Sequence, residues 1–158
     1  MHSMISKHTH CTVILLSAGL MVASSQALAA ETTCQQISED EVASLFDRWN
    51  DSLQTGSSET VAANYADDSI LLPTVSNTPR MTFEERVDYF DDFLVDGPSG
   101  EIDKRWVHIG CNKVVDAGLY TFTFAETGES VSGRYSYTYA WDGEDWLITS
   151  HHSSAMPE

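Results

Sequence analysis

Two adjacent histidines near the C terminus, His151 and His152, are the residues best suited to proton chemistry, and the hydroxyl of Ser153 follows them directly. An imidazole titrates close to neutral pH, so it can act as a general base or bind a ligand by hydrogen bonding. Tyr137 carries a phenol that can donate to a developing oxyanion. These residue types predict a small-molecule site, either with His151 or His152 as base or without turnover. The alternative that one histidine is a core residue and the other lies at an interface or in solvent stays open.

Other catalytic arrangements are not indicated. The sequence has no Ser-His-Asp pattern and no nucleotide-binding fingerprint. A steroid-isomerase-type reaction needs a carboxylate base in an apolar pocket, and the segment Ile70 to Thr74 supplies none. Asp67 and Asp68, just before it, are expected to be solvated or to cap a turn. We therefore expect no cofactor and leave turnover undecided.

The cysteines Cys34 and Cys111 are predicted to form a disulfide. Two thiols in an oxidising compartment usually pair. A bond that closes the long loop between Cys34 and Cys111 contributes roughly 4 kcal/mol to the free energy of unfolding in the chain-entropy model. Two isolated cysteines offer no close ligand pair, so no metal site is expected. A redox role lacks the Cys-x-x-Cys spacing.

The N-terminal residues 1–29 are predicted to be a signal peptide. Lys7 and three histidines precede the apolar run from Cys11 to Ala23, which is too short to span a bilayer, and small residues at Ala27 and Ala29 favour cleavage after Ala29. An uncleaved membrane anchor is the alternative. The predicted mature domain, residues 30–158, is expected in the periplasm or outside the cell, with no membrane association after cleavage.

The charge of the mature chain argues against two kinds of partner. Residues 1–29 contain one of the eight Lys and Arg residues and none of the 24 Asp and Glu residues, so the remainder carries a net charge of −17. Affinity for nucleic acid depends on Lys and Arg displacing counterions from phosphates. We therefore expect no binding to nucleic acid or to anionic lipid headgroups.

Three helices are predicted in the first half of the mature chain. Ser38–Glu41 is a capping box, and apolar residues follow it at helical spacing until Gly56. These are Val42, Leu45, Phe46, Trp49 and Leu53. Ser57 or Ser58 begins a short second helix through Tyr65, and an extended segment covers 69–74. Thr82–Glu85 is a second capping box, opening a third helix. Its predicted buried face carries Phe83, Val87, Phe90 and Leu94.

The second half of the chain changes to a period of two, which is typical of strands. Strands are predicted at 106–115, 118–125, 131–141 and 146–153, with turns at 96–100, 116–117, 126–130 and 142–145. Short turns between consecutive strands favour an antiparallel meander. Three N-terminal helices packed on one strongly curved antiparallel sheet make an α+β, cone-shaped fold with an interior hollow.

Strand alternation predicts which side chains share a face. Tyr135, Tyr137 and Tyr139 fall together, as do Thr149, His151 and Ser153, whereas Ile148, Ser150 and His152 fall on the opposite face. Whichever face lines the hollow receives an imidazole together with hydroxyls. A few polar groups in an apolar concavity are the usual form of a small-molecule site.

Several stretches resemble a known family. The terminal Trp146 to Pro157 resembles the closing strand of the association domain of calcium/calmodulin-dependent protein kinase II, and Tyr89-Phe90 resembles the helix preceding its sheet. Gly110-Cys111-Asn112, the run Asp116 to Tyr120, Arg134-Tyr135 and His151 to Pro157 are similar to secreted bacterial members of that group, in the nuclear transport factor 2-like, SnoaL-like superfamily. The resemblance implies a cone fold, a homodimer or higher ring, and a pocket that in the kinase is lined by arginines.

The positions that correspond to those pocket arginines hold Thr123, Tyr137 and Ser153, so the resemblance implies a neutral pocket unless Arg80, Arg86 or Arg134 reaches in. The predicted ligand-binding residues are Thr123, Arg134, Tyr137, His152, Ser153 and Arg80. The first hypothesis is an exported, self-associating domain that binds a small organic ligand and has no kinase activity. The second is an isomerase, cyclase or lyase acting on a small carbonyl compound with a pocket histidine as base. A third is a purely structural partner whose hollow is filled by side chains.

Overall fold

The computed structural model describes residues 33–157; the predicted signal peptide lies outside this range. Three α-helices, one short 3₁₀ helix and five strands follow one another along the described chain. In order they are α1 (Glu39–Leu53), α2 (Ser58–Ala62), β1 (Tyr65–Leu72), α3 (Phe83–Phe93), the 3₁₀ helix (Leu94–Asp96), β2 (Pro98–Gly110), β3 (Lys113–Phe124), β4 (Ser130–Trp141) and β5 (Trp146–Ala155).

Both predicted capping boxes are confirmed. Ser38 accepts a hydrogen bond from the backbone N–H of Glu41, and the Glu41 carboxylate accepts one from the backbone N–H of Ser38. Thr82 and Glu85 make the same reciprocal pair at the start of α3. Each box satisfies backbone donors that the first helical turn leaves unpaired. The sequence therefore fixes where these two helices begin.

The predicted second helix and the face of α3 need correction. Helix α2 ends at Ala62, and Tyr65 is the first residue of β1, which is longer than the predicted segment because it pairs with β5. On α3 the fully buried residues are Arg86 and Phe90, while Phe83 is exposed. Arg86 donates to two backbone carbonyls of β1, so tertiary contacts override the apolar pattern here.

One sheet contains all five strands, in the order β1-β5-β4-β3-β2. Strands β2 to β5 pair antiparallel as a meander, which confirms that prediction. Strand β1 pairs parallel with β5 and adds an edge that the sequence did not indicate. Helices α1 and α3 contribute Phe46, Trp49 and Phe90 to the core that covers the inner face of the sheet. The predicted α+β layering is confirmed.

The first hairpin turns at a different place from the predicted one. Strand β2 ends at Gly110, the turn is at Cys111–Asn112, and Asn112 adopts a positive φ of 55°. Asp116, assigned to a turn from sequence, lies inside β3 and is fully buried. Gly118 is required beside it because a Cβ there would lie 1.9 Å from the Lys104 carbonyl oxygen. The Asp-Ala-Gly run is thus a close approach of two strands and not a reversal of the chain.

A bulge in the β4–β5 ladder corrects the predicted alternation. The register shifts between Thr138 and Tyr139, so that Tyr139 pairs with Ile148 while Tyr137 pairs with His151. Ile148 and His151 are consequently both buried on the inner face, although strict alternation separates them. His152 is exposed on the outer face.

The predicted disulfide between Cys34 and Cys111 is present, with the two Cα atoms 4.9 Å apart. It joins the segment before α1 to the β2–β3 turn. The backbone N–H of Gln35 donates to Oδ1 of Asn112 at 2.6 Å, so a hydrogen bond supports the same attachment. Among residues 33–157, no helix has both the length and the apolar character needed to span a bilayer.

Candidate functional site

A cavity of about 610 Å³ opens at one end of the sheet. It lies between α3, the segment that follows β1, and the adjoining ends of β3, β4 and β5. Aromatic side chains form much of its wall. These are Trp49, Tyr89, Phe90, Phe93, Tyr120, Phe122 and Phe124. The volume falls in the range of natural small-molecule pockets, so the hollow is not filled by side chains.

His151 lies in the cavity wall and is only 4% exposed. Its Nδ1 is 2.8 Å from the hydroxyl of Tyr65, its ring stacks on Tyr137 with centroids 4.1 Å apart, and its Nε2 has no partner among residues 33–157. Burial, together with the neighbouring His152, lowers the pKa of His151 to about 3. The imidazole is therefore neutral at physiological pH.

Three hydroxyls of the same cavity wall are joined by hydrogen bonds. Ser153 Oγ is hydrogen bonded to the Tyr120 hydroxyl and lies 2.5 Å from Thr74 Oγ1. The Tyr120 ring fits against Gly133, where an added Cβ would lie 2.8 Å from Tyr120 Cε1. Burial raises the pKa of Tyr120, so its hydroxyl stays protonated and can donate.

Arg80 brings a positive charge into the same cavity. Its backbone pairs with Leu71 in an isolated bridge, which fixes its position beside β1. The guanidinium lies 5.7 Å from the centroid of the Tyr89 ring and its Nη2 is 3.5 Å from Ser76 Oγ, while its buried Nε has no hydrogen-bond partner among residues 33–157. Within residues 33–157 the one ion pair within 4 Å is Arg105–Asp116, so Arg80 forms no direct ion pair with a carboxylate, and Glu85 interacts with it only at longer range.

We call Thr74, Arg80, Tyr120, His151 and Ser153 the cavity cluster. Carboxylates also line the cavity, but those of Asp92, Asp96 and Glu129 belong to exposed residues. Water screens such charges strongly, whereas the partly buried guanidinium is screened less. The interior thus offers one cation and several neutral hydrogen-bonding groups.

A second polar cluster lies on the inner face of the sheet, farther from the cavity. Asp116 is fully buried and accepts hydrogen bonds from Arg105 Nε at 3.2 Å and from the Tyr135 hydroxyl at 3.0 Å. Burial raises the pKa of Asp116, an effect that Arg105 and Tyr135 oppose. We call these three residues the closed cluster, because the Asp116 carboxylate finds its partners within the protein.

The predicted site residues divide between the two faces of the sheet. Arg80, His151 and Ser153 line the cavity; Tyr137 is fully buried under His151 and does not reach it. Whether the lining residues bind a ligand stays a prediction.

Thr123, Arg134 and His152 were expected in the cavity, and their placement is corrected. Each is exposed on the outer face. Phe122 and Phe124 point inward on either side of Thr123. Likewise Arg134 alternates with buried neighbours, and the β4–β5 bulge leaves His151 inward in place of His152. The physical reason is that successive side chains of a strand point to opposite faces of the sheet, so a shift of one residue moves a side chain from one face to the other.

Several cavity residues were not identified from sequence. Thr74 and Tyr120 carry hydroxyls in the cluster, and Trp49 and Tyr65 lie behind His151. The buried, inward-facing residues of β3 all have even numbers: Val114, Asp116, Tyr120 and Phe122. This alternation was not recognised from sequence because Asp116 was assigned to a turn. Arg86, considered as a pocket cation, instead donates to the carbonyls of Ser69 and Ala66 and does not line the cavity.

Comparison with known proteins agrees with this architecture. The family model of the calcium/calmodulin dependent protein kinase II association domain matches residues 38–157. A solved structure from Xanthomonas campestris, described as an association domain of this kind, is 42% identical over 82% of this chain and 99% of that chain, with a TM-score of 0.72. No curated protein matches the chain.

More distant solved structures share the fold. An NTF2-like protein from Pseudomonas putida KT2440 is 16% identical, covers 80% of this chain and 92% of its own, and has a TM-score of 0.68. A cyanobacterial iota-carbonic anhydrase, solved in complex with bicarbonate, is 20% identical over 83% of this chain and 99% of that chain, with a TM-score of 0.70. These likenesses confirm the predicted NTF2-like fold. The match across residues 38–157 and the Xanthomonas structure together establish that this chain belongs to the calcium/calmodulin dependent protein kinase II association domain family.

Proposed function

We propose that this protein is an exported, self-associating domain whose cavity binds a small oxyanion, such as a carboxylate or bicarbonate, and that it has no kinase activity. The observation that carries the binding proposal is the cavity cluster. The Nε of Arg80 and the Nε2 of His151, neither of which has a hydrogen-bond partner among residues 33–157, line one cavity together with three hydroxyls. Unpaired buried polar atoms are costly, and an anionic ligand would satisfy them.

The charges favour a monoanion over larger or more highly charged ligands. Arg80 is the single basic residue in the cavity lining, and three exposed acidic residues share that lining. Guanidinium and carboxylate match geometrically, because two parallel N–H groups can meet two oxygens. The neutral hydroxyls can contact those oxygens without adding charge.

Ligand titration tests this proposal. Sodium acetate and sodium bicarbonate are titrated into the isotopically labelled protein at constant ionic strength, and shifts are expected for amides of the cavity wall. Arg80→Gln is expected to weaken binding roughly tenfold or more, as for loss of one charged hydrogen bond. Arg134→Gln is the matched control, since it removes an arginine from the outer face. Saturable binding that survives Arg80→Gln unchanged, or no binding at all, would contradict the proposal.

A lyase activity is the second candidate, and one comparison favours a particular reaction. The cyanobacterial structural neighbour is an iota-carbonic anhydrase bound to bicarbonate, the oxyanion class that the cavity cluster suits. Hydration adds a water oxygen to the carbon of CO₂ and releases one proton. Stopped-flow CO₂ hydration by the wild type and Ser153→Ala tests it. Activity above the uncatalysed rate that Ser153→Ala lowers supports the lyase, and binding without turnover supports the first proposal.

Self-association is proposed through the outer face of the sheet. Strand pairing aligns Trp106, Ala117, Ser136 and His152 in one row across that face, and Trp106 is 62% exposed. Burying an aromatic ring of this kind in an interface contributes strongly to binding. Trp106→Glu is expected to convert a dimer or ring to smaller species in light scattering, whereas Val95→Glu, also exposed, is the control. A monomeric wild type would contradict the proposal.

Export is supported by the predicted signal sequence and by the Cys34–Cys111 disulfide, since such bonds persist in oxidising compartments. Expression of the full chain in a Gram-negative host, followed by fractionation and intact mass analysis, tests it. The expected product is a periplasmic or secreted chain cleaved after Ala29 and lighter by two hydrogen atoms for the disulfide. A cytoplasmic, uncleaved product would contradict it.

A further inference from the structure

A hydrogen-bonded chain of three buried side chains runs from α1 to the cavity. Trp49 Nε1 donates to the Tyr65 hydroxyl oxygen at 3.1 Å, and that hydroxyl lies 2.8 Å from Nδ1 of His151. The three residues are between 2% and 4% exposed. They come from α1, β1 and β5, so only the folded protein assembles them.

The direction of this chain follows from what each group can donate. An indole N–H is a donor only, so the Tyr65 oxygen accepts the bond from Trp49. The phenol has one proton of its own, and Nδ1 of His151 is the one group among the described residues positioned to accept it. Since Nδ1 accepts, the single proton of a neutral imidazole lies on Nε2.

The surroundings of His151 keep the ring neutral. Its ring packs against the aromatic rings of Tyr137, Trp49 and Tyr65. His152, its neighbour in sequence, is on the outer face, and Asp116, the one fully buried carboxylate in the described part of the chain, is bonded to Arg105 and Tyr135. Burial holds the pKa of His151 near 3, so the ring does not gain a second proton at neutral pH.

We propose that Trp49 and Tyr65 are positioning residues that hold His151 as the Nε2–H tautomer, and that the cavity therefore selects ligands presenting a hydrogen-bond acceptor to this nitrogen. The ligand half of this inference rests on the proposed oxyanion binding. The Nε2 atom of this cavity-lining residue is buried and has no partner among residues 33–157, so this part of the fold maintains a donor that a ligand or water would satisfy.

The tautomer also bears on the predicted role of His151 as a base. A nitrogen that already carries a proton cannot remove one from a substrate unless the direction of the hydrogen bond between Tyr65 and His151 Nδ1 is inverted. Inversion would leave the Tyr65 hydroxyl proton without an acceptor, because Trp49 and His151 would both donate to that oxygen. A lyase in this cavity would accordingly use His151 to hold an oxyanion, and would transfer protons through another group or water.

Side-chain ¹⁵N NMR of the ligand-free wild type tests the tautomer directly. Histidine-labelled protein at pH 7 gives separate imidazole nitrogen signals for protonated and unprotonated positions. The expected result for His151 is a protonated Nε2 and an unprotonated Nδ1. A protonated Nδ1 would overturn the inference, and this measurement needs no variant that could fail to fold.

Two matched variants test the role of Tyr65. Tyr65→Phe and Tyr139→Phe each remove one buried hydroxyl, but the Tyr139 hydroxyl has no hydrogen-bond partner. Tyr65→Phe is expected to populate the Nδ1–H form and to weaken acetate binding roughly tenfold, whereas Tyr139→Phe changes neither. An unchanged tautomer in folded Tyr65→Phe would show that Tyr65 does not set it.

The two proposals fail in different ways. A protonated Nε2 with no binding of acetate or bicarbonate would leave the tautomer assignment standing and would overturn both oxyanion binding and acceptor selection. Binding with a protonated Nδ1 would retain the proposed function and overturn the positioning role. Binding with a protonated Nε2, and direct perturbation of that nitrogen by acetate, supports both.

Discussion

The closed cluster and the cavity cluster lie on the inner face of the same sheet, but they differ in how far their polar groups are satisfied. In the closed cluster, the Asp116 carboxylate is bonded to Arg105 and to Tyr135. In the cavity cluster, the Arg80 Nε and the His151 Nε2 have no hydrogen-bond partner within the described residues. A buried polar group that finds its hydrogen-bond partners within the protein needs no ligand, whereas an unsatisfied one is stabilised by a ligand that supplies the missing partner.

This difference distinguishes polar residues that stabilise the fold from polar residues that are available to bind a ligand, without comparison with any related protein. Asp116 and His151 both lie on the inner face and both have shifted pKa values, so burial and titration alone do not distinguish them. The distinguishing property is the unpaired atom beside an open volume. Substitutions in the closed cluster should therefore cost stability, and those in the cavity cluster should cost binding.

The largest expected effect is on stability, from Asp116→Ala. Removing this carboxylate leaves Arg105 and Tyr135 without their buried partner, and breaking such a pair costs about 3–5 kcal/mol. Urea unfolding measures the loss. Asp88→Ala removes an exposed carboxylate from α3 and should change the free energy of unfolding little. A loss below about 1 kcal/mol for Asp116→Ala would contradict the structural role of the closed cluster.

The second prediction concerns pH. The pKa of His151 falls from 6.5 in the unfolded chain to about 3 in the fold, so the folded state binds this proton less tightly. Its contribution to stability is present above pH 6.5 and is lost as pH falls toward 3, by about 1.4 kcal/mol per pH unit. Unfolding at several pH values should show a shallower slope for His151→Gln than for the wild type or His152→Gln. Equal slopes for all three would rule out the buried neutral imidazole.

An intermediate effect is expected from Gly133→Ala. The added methyl group would lie 2.8 Å from the Tyr120 ring, and relieving such a clash costs about 1–3 kcal/mol. Since Tyr120 bonds to Ser153, the displacement should also weaken acetate binding. Thermal unfolding and ligand titration measure the two effects. Retained affinity with lowered stability would indicate that the Tyr120 hydroxyl is not part of the binding site.

The smallest stability effect should come from Ser153→Ala. Ser153 is half-buried and bonds to Tyr120 and to Thr74, but the bond to Thr74 is exposed, so the stability cost is mainly that of the Tyr120 bond, about 1 kcal/mol. Acetate affinity should nevertheless fall, which is the signature that separates the cavity cluster from the closed cluster. Ser99→Ala, at an exposed position of β2, is the matched control for both measurements. A variant with lowered stability and unaltered affinity would assign Ser153 to the structural set.

The sequence predicted the helices through local chemistry. The capping boxes at Ser38 and Thr82 depend on residues three positions apart, so the information is complete within one turn. The strands β4 and β5 were also recognisable, because aromatic and β-branched residues alternate between clear turns. The turn at Asn112 was missed, since Asp-Ala-Gly has the composition of a turn but lies in a strand. The start of β2 was also missed.

The sequence predicted the type of site but only some of the residues that form it. A histidine, a serine and Arg80 were expected at a cavity, and the structure places His151, Ser153 and Arg80 in its wall. His152 was misplaced because the β4–β5 bulge inverts the alternation beyond it, whereas Thr123 and Arg134 lie in an unbulged ladder on the positions that alternate with inward-facing neighbours. No local signal in the β4–β5 ladder indicated its bulge.

What the sequence determined by itself was the set of elements, their polar and apolar content, and the chemistry available near the C terminus. What only the tertiary structure decided was which of those groups remain unsatisfied. Trp49, Tyr65 and His151 are separated by 16 and 86 residues along the chain, yet they form one hydrogen-bonded chain. Partner assignment of this kind depends on distances between elements, and short-range propensity carries no information about them.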